Sequence, residues 1–328
     1  MPSEKNHKQK VLVTGIGGNV GQGILRNIRN AFPELSIVGT DIEDFTAGHY
    51  FCDHFEKVPY SYESHFSKSF LKIIARQKPD LIIPSTDYES VAFAKIQDKL
   101  PPVIASPLEV GQMFLDKFTT WEKCAALNVP FAPSCLPKDY HNQWKNIIVK
   151  PREGRGSRGL HINPSSLDAF DDTSMVQELL VGKEVTSAFY VTKTGEIRGP
   201  FTMERALVNG MTGKCQVICQ YDEPIAQLVS TYVSKFDIIG PCNIQSIVTG
   251  SGDIIPFEIN CRYSGTNSIR THFGFADVKW GIEEYLLNQT PSDYKMTKGS
   301  AVRLFMDIIY YDCNEDEIGA GPEGAVLA

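Results

Sequence analysis

The sequence predicts an α/β protein that opens with a parallel sheet and continues into an α+β part. Three observations carry that expectation. Short apolar runs alternate with amphipathic helical stretches up to Pro107; the texture then changes to paired helices and longer strands; and two apolar runs around residue 250 fold back on each other about a glycine-bearing turn. Length agrees, because 328 residues are long for one core and two or three subdomains are expected.

In chain order, Lys10–Thr14 (KVLVT) is an apolar strand, followed by Gly15-Ile-Gly-Gly-Asn-Val-Gly21 and a helical pattern from Gln22 to Ala31. The strand Ser36–Thr40 ends at Asp41. This βαβ opening, with Gly15, Gly18, Gly21 and a later acid, fits a dinucleotide-binding fingerprint; glycines so spaced also let a strand turn sharply into a closely packed helix. The alternation continues through a helix at 64–77, a strand at 81–84, a helix at 88–99 and a strand at 103–105. It predicts a Rossmann-like domain over residues 1–107. Asp87 and Glu89 fall just past the strand at 81–84, at the carboxyl edge where ligands of such sheets bind and where Asp87 is equally suited to capping a helix.

The second domain is expected over residues 108–328. Helices at 108–116 and 117–127 lead to a connector marked by Pro130, Pro133 and Pro137. The strand Ile147–Lys150 then runs into Pro151-Arg-Glu-Gly-Arg-Gly-Ser-Arg-Gly159, a glycine and serine loop among basic residues, able to lay backbone N–H groups and cations on phosphates without being a Walker A loop. A strand at 175–180 ends in Glu178-Leu179-Leu180, and Val181-Gly-Lys-Glu184 turns into the next. Two carboxylates around two apolar residues at one bend suit a purine and its ribose, and equally suit a surface hairpin. Strands at 199–206 and 216–220 and a helix at 223–236 follow, and Ala301–Tyr311 is expected as a last strand.

The chemistry concentrates in Cys242–Arg262, CNIQSIVTGSGDIIPFEINCR. It predicts a hairpin turning at Thr249–Asp253. Side chains alternate along a strand, so Glu258 and Asn260 share one face, Phe257, Ile259 and Cys261 take the other, and a tight register brings Gln245 to face the first pair. Such oxygen donors hold Mg²⁺ together with substrate phosphates, and Arg262 follows as a cation able to bond a phosphate in two places; taken alone, the stretch also reads as a solvated strand end with one surface salt bridge.

Composition narrows the class. Hydrophobic residues at 42% and charged residues at 22% describe an ordinary globular protein, and a formal charge of −7 provides no basic field for a nucleic-acid backbone. The polar N-terminus lacks a signal-peptide core, and no apolar run reaches membrane-spanning length, so a cytoplasmic, membrane-free protein is expected. Eight cysteines without a CxxC pair suggest reduced, mostly buried thiols.

Together the segments resemble the ATP-grasp superfamily, most closely the ATP-grasp half of the carbamoyl phosphate synthetase large subunit and carboxylate–amine ligases. The resemblance runs from about Leu115 to Leu287 and rests on IIVKP, the glycine and serine loop, QELLVGKE, NIQSIV, FEINCR and the tail YSGTNS in that order. It implies a pre-ATP-grasp domain followed by an ATP-grasp fold of two α+β subdomains, with a small lid at about 138–180. It further implies that Lys117 and Lys150 contact ATP phosphates, that the Arg155–Gly159 loop, with Gly156 and Ser157, closes over them, that Glu178, Leu179 and Leu180 border adenine, and that Glu184 bonds the ribose. Gln245, Glu258 and Asn260 would hold Mg²⁺, for which Mn²⁺ can substitute, and Arg262 with Lys150 would stabilise the phosphoryl group in transfer. Gln245 stands where other ATP-grasp enzymes carry a carboxylate, which leaves the number of metal ions open. Having one such half, the chain is not expected to make carbamoyl phosphate.

The expected activity is an ADP-forming ligase that activates a carboxylate, of an amino acid or sugar acid, as an acylphosphate for attack by an amine or thiol. The partners are these small molecules, with a homo-oligomer left open. Arg205, Lys214, Arg270, Ser264, Thr266 and Ser268 are candidates for the carboxylate, and Asp87 or Glu89 for the incoming ammonium. Two other readings compete. An NAD(P)-dependent reductase or epimerase would use the glycine fingerprint and Asp41, but the one Tyr-x-x-x-Lys, Tyr294 to Lys298, lies in a stretch poorly suited to a helix. A catalytically silent ATP-binding protein would fit Gln245 in the metal position.

Overall fold

The computed structural model describes residues 8–154, 156 and 158–328, so the assignments of Arg155 and Ser157 lie outside the described residues. The chain divides into two units. The first contains the chain up to Ser106 with Arg262–Met296 and Leu304–Ala328, and the second contains Pro107–Cys261 with Thr297–Arg303. The sequence placed everything after residue 107 in one domain, whereas two later segments return to the first unit. The reason is apolar: Val278, Ile282 and Leu286, on and just after the helix Asp277–Tyr285, complete the core formed by Val11, Val13, Ile24 and Ile28.

In the first unit, His54–Lys57, Ser36–Asp41, Lys10–Thr14 and Leu81–Ile83 lie side by side as a parallel sheet. Val103 joins it through a single bridge to Ile82 instead of a full strand. Both faces are covered, which is why the central strands are unbroken apolar runs. One face meets the helix Asn19–Ala31, and on the other Leu12, Val38 and Ile82 pack with Phe66, Phe70 and Phe93.

The glycines of the fingerprint have a packing role. A Cβ on Gly21 would stand 2.2 Å from the Gly15 carbonyl oxygen, and Gly15 itself has a φ of +56°. Asp41 is turned onto the same loop, where its carboxylate accepts from the N–H groups of Gly17 at 2.7 Å and Ile42 at 2.8 Å. Tyr294 lies outside any helix, its ring 4.9 Å from that of Trp280.

The second unit holds two antiparallel sheets. The larger runs Ile254–Asn260, Gly240–Thr249, Gly182–Val191, Ile197–Val208, Met211–Val217, Ser300–Val302. Its core includes Phe189, Cys242, Ile244 and Ile259, closed by Phe114, Ile225, Val229 and Tyr232 from the helices Leu108–Leu115 and Asp222–Lys235. The smaller runs Ser134–Cys135, Ser174–Glu178, Ile147–Pro151, His161–Ile162. The expected last strand at 301–311 is two pieces: Ser300–Val302 pairs with 214–216, while Ile308–Tyr310 pairs with Ala325–Leu327 in a separate ribbon. Among the described residues no helix is long and apolar enough to cross a membrane. None of the eight cysteines is in a disulfide, and six are buried.

In the first unit Arg270 and Asp277 are each 1% exposed and form a bidentate ion pair. Removing one partner leaves the other charge buried. Asp277→Ala is therefore expected to cost about 3–5 kcal/mol of stability, read as a lowered urea midpoint.

Candidate functional site

The strand Ile147–Pro151 carries Ile147 and Val149 into the small apolar core, so Lys150 projects from the opposite face. Its ammonium is buried and donates to Gln177 Oε1 at 2.9 Å and to the Phe257 carbonyl at 3.2 Å. Burial lowers its pKa to about 8; the negative charge of Glu258 pulls the other way, and the neighbouring Lys117 adds to the lowering.

Lys117 is placed by a helix start. Asp116 caps the helix Lys117–Ala126 by accepting from the N–H groups of Phe118 and Thr119, and it is gripped by the Arg152 guanidinium. The Lys117 N–H also donates to the Arg152 carbonyl at 3.0 Å, tying the helix to the end of the Lys150 strand. The Lys117 ammonium then meets the Gly154 carbonyl at 3.0 Å, at the start of the glycine loop.

The hairpin supplies the acid. Gln245 pairs with Glu258 and Asn243 with Asn260, but the next rung joins Ser246 to Pro256, so Phe257 is an extra residue in a β-bulge. This corrects the strict alternation read from the sequence. Phe257 and Glu258 both line the pocket, and Phe257 presents its carbonyl to Lys150 with its ring centroid 5.7 Å from the ammonium. Asn260 is buried beside the acid, its amide nitrogen 3.2 Å from Glu258 Oε1.

The same pocket is lined by Glu178, Leu179, Leu180 and Glu184 at the predicted bend, and by Gly156 from the loop. Ile148, Leu160, Leu207 and Ile247 add apolar wall. Arg205 joins three neighbouring strands here: it donates to Glu184 Oε1 from Nε at 3.2 Å and from Nη2 at 2.9 Å, and to Gln245 Oε1 at 2.5 Å. Hence Glu184 and Gln245, assigned separately to ribose and metal, are held by one guanidinium.

Other sequence candidates stand elsewhere. Arg262 belongs to the first unit and donates to Asp87 at 2.8 Å. Glu89 is buried there, accepting from the hydroxyls of Thr14 at 2.7 Å and Thr86 at 2.8 Å, and burial raises its pKa. Arg270 donates to Ser264 and Thr266 in the buried network around Asp277, which turns these three residues inward rather than onto a ligand surface. Lys214 is exposed on the strand Met211–Val217. Arg158 lines the pocket from the loop expected to cover the phosphates, and sequence reasoning missed Ile148, Leu160, Leu207, Ile247 and Phe257 as lining residues. Ile148 was accessible to it, since it lies two residues before Lys150 on the same strand face.

Among the described residues no cluster of three or more His, Cys, Asp or Glu forms a metal site. The donors at the hairpin are one carboxylate and two amides, a set suited to a hard cation that completes its shell with water and phosphate oxygens. The site therefore fits Mg²⁺ in company with a nucleotide, with Glu258 as the charged ligand.

A family model of the ATP-grasp domain matches residues 114–266. The comparison with curated protein sequences found no match. Among solved structures, N5-carboxyaminoimidazole synthetase from Staphylococcus aureus, complexed with ADP, superposes with a TM-score of 0.73 at 15% identity, covering 90% of this chain and 82% of that one. N5-carboxyaminoimidazole ribonucleotide synthetase from Thermotoga maritima gives 0.69 at 15% identity over 88% and 78% of the two chains. The biotin carboxylase domain of the Hydrogenobacter thermophilus 2-oxoglutarate carboxylase, solved with MgADP and bicarbonate, gives 0.69 at 15% identity over 86% and 70%. At such identity the likeness speaks for the fold. The sequence match to the ATP-grasp domain thus lies in residues 114–266, and the chain shares its fold with these structures.

Proposed function

We propose that this protein is an ATP-dependent, ADP-forming ligase that activates a carboxylate for attack by an amine. The observation that carries the reading is the convergence of Lys117, Lys150 and Glu258 on one pocket with the glycine loop and the apolar bend at 178–180. A nucleotide needs those elements: apolar wall for the base, cations for the phosphates, and one acid for the metal that accompanies them. The fold is shared with structures solved with ADP and with MgADP, which supports the same occupant here.

In this reading Leu179, Leu180, Ile148 and Ile247 border the purine, and Glu178 and Glu184 face its polar edge and ribose. Lys117 and Lys150 neutralise phosphate oxygens. Glu258, with Asn260 beside it, would hold Mg²⁺, which when bound would supply positive charge for the phosphoryl oxygens. The carboxylate oxygen of the substrate bonds to the γ-phosphorus as ADP leaves. The amine nitrogen then bonds to the acyl carbon as phosphate leaves, and the amine gives up its proton. No protein nucleophile is required. The glycine loop would exclude water from the activated acid, which water would otherwise hydrolyse. An amino acid or sugar acid is the proposed substrate class, with a thiol as the alternative acceptor.

An ADP-release screen over carboxylate and amine pairs tests the activity: turnover is expected only with both substrates present, and binding of Mg-ATP with no ADP formed by any pair would favour a silent nucleotide-binding protein. Glu258→Ala is expected to lower ADP formation at least about a hundredfold, the size of losing a principal electrostatic contact to the transition state, while circular dichroism stays unchanged. Lys150 sets a pH dependence. It is charged below about 8 and loses its proton above, so the affinity for a non-hydrolysable ATP analogue should fall as pH rises. If the complex keeps the proton, the drop between about pH 7 and pH 9 is about tenfold, and Lys150→Met should abolish that dependence in isothermal titration.

A further inference from the structure

The sheet places a permanent cation where the ligand set is short of negative charge. Arg205 lies on the strand Ile197–Val208 and reaches over Gly182–Val191, which carries Glu184, to Gly240–Thr249, which carries Gln245. Its side chain is 14% exposed, and two of its nitrogens converge on Glu184 Oε1 while Nη2 also reaches Gln245 Oε1. Spanning three strands takes a long side chain with a rigid fork, which arginine has and lysine lacks.

We propose that Arg205 is a built-in substitute for a second divalent ion, so that the nucleotide binds here with one metal, held at Glu258. This deepens the nucleotide reading above and rests on it. A magnesium ion ligated by Gln245 would sit about 2.1 Å from the same oxygen that Arg205 holds at 2.5 Å. Two cations would then share a neutral amide oxygen, and the carboxylate on the same guanidinium, Glu184, is already engaged in balancing it. Glu258 is placed differently: its charge acts on the Lys150 ammonium, and the Asn260 amide donates to it. The amide at position 245 follows from this arrangement. A guanidinium that takes its counter-charge from Glu184 needs from residue 245 an acceptor, not a second acid.

Equilibrium dialysis with Mn²⁺ and a non-hydrolysable ATP analogue, counting both per chain, tests the proposal. The wild-type protein is expected to hold one Mn²⁺ per bound nucleotide, and Arg205→Met two, because the Gln245 oxygen is then released to a metal. Arg205→Gln, which keeps hydrogen-bond donors and removes the charge, should also hold two and serves if the methionine variant does not fold. Two Mn²⁺ per nucleotide in the wild type overturn the proposal, as does a count of one in a folded, nucleotide-bound variant. No nucleotide uptake by the wild type overturns the nucleotide reading and this inference with it, whereas uptake with two metals overturns this inference alone.

Discussion

The second unit is organised around a buried ammonium. Lys150 comes from the small sheet, and its two hydrogen-bond acceptors lie on different sheets, Gln177 on the small one and Phe257 on the large one. Holding a cation there is unfavourable: the fall of its pKa to about 8 corresponds to roughly 3 kcal/mol of differential interaction against the charged form. The structure offsets part of the desolvation through the Phe257 carbonyl, the Phe257 ring and the charge of Glu258. An anionic ligand would complete the compensation, which is the physical reason a desolvated lysine of this kind marks a binding site.

The bulge at Phe257 is what makes the arrangement work. Without the extra residue the ladder would turn either Phe257 or Glu258 away from the pocket, and Lys150 would lose its carbonyl or its counter-charge. The opposite wall is organised by a second cation, Arg205, which fixes Glu184 and Gln245 together. The pocket thus has two kinds of positive group. Lys117 and Lys150 present single ammonium charges, while a forked guanidinium is committed to the acceptors of Glu184 and Gln245.

The first unit uses similar residue types for a different end. Gly15 and Gly21 permit close contact between a loop and a helix, Asp41 closes that loop, and Arg270 and Asp277 neutralise each other in the interior. Buried polar groups that satisfy one another specify a packing arrangement without offering a surface to a ligand. That is why a glycine fingerprint with a following acid describes the loop well and says little about a dinucleotide.

Much was legible in the residues alone. Alternation of apolar runs and helical stretches is local, and it located the parallel sheet, the Lys150 strand and the hairpin at 240–260; the ordered motifs IIVKP, QELLVGKE, NIQSIV and FEINCR pointed to the ATP-grasp domain that the family model covers. What the residues left open depends on contacts between distant segments. A bulge is a matter of register, so Phe257 could not be distinguished from an inward-facing core residue. Arg205 looked like a substrate cation because its partners, Glu184 and Gln245, are 21 and 40 residues away in the chain and meet it only in the folded sheet. The return of Val278 and Ile282 to the core of the first unit, and the inward turn of Arg270, were likewise decided by where apolar surface and charge found partners in three dimensions.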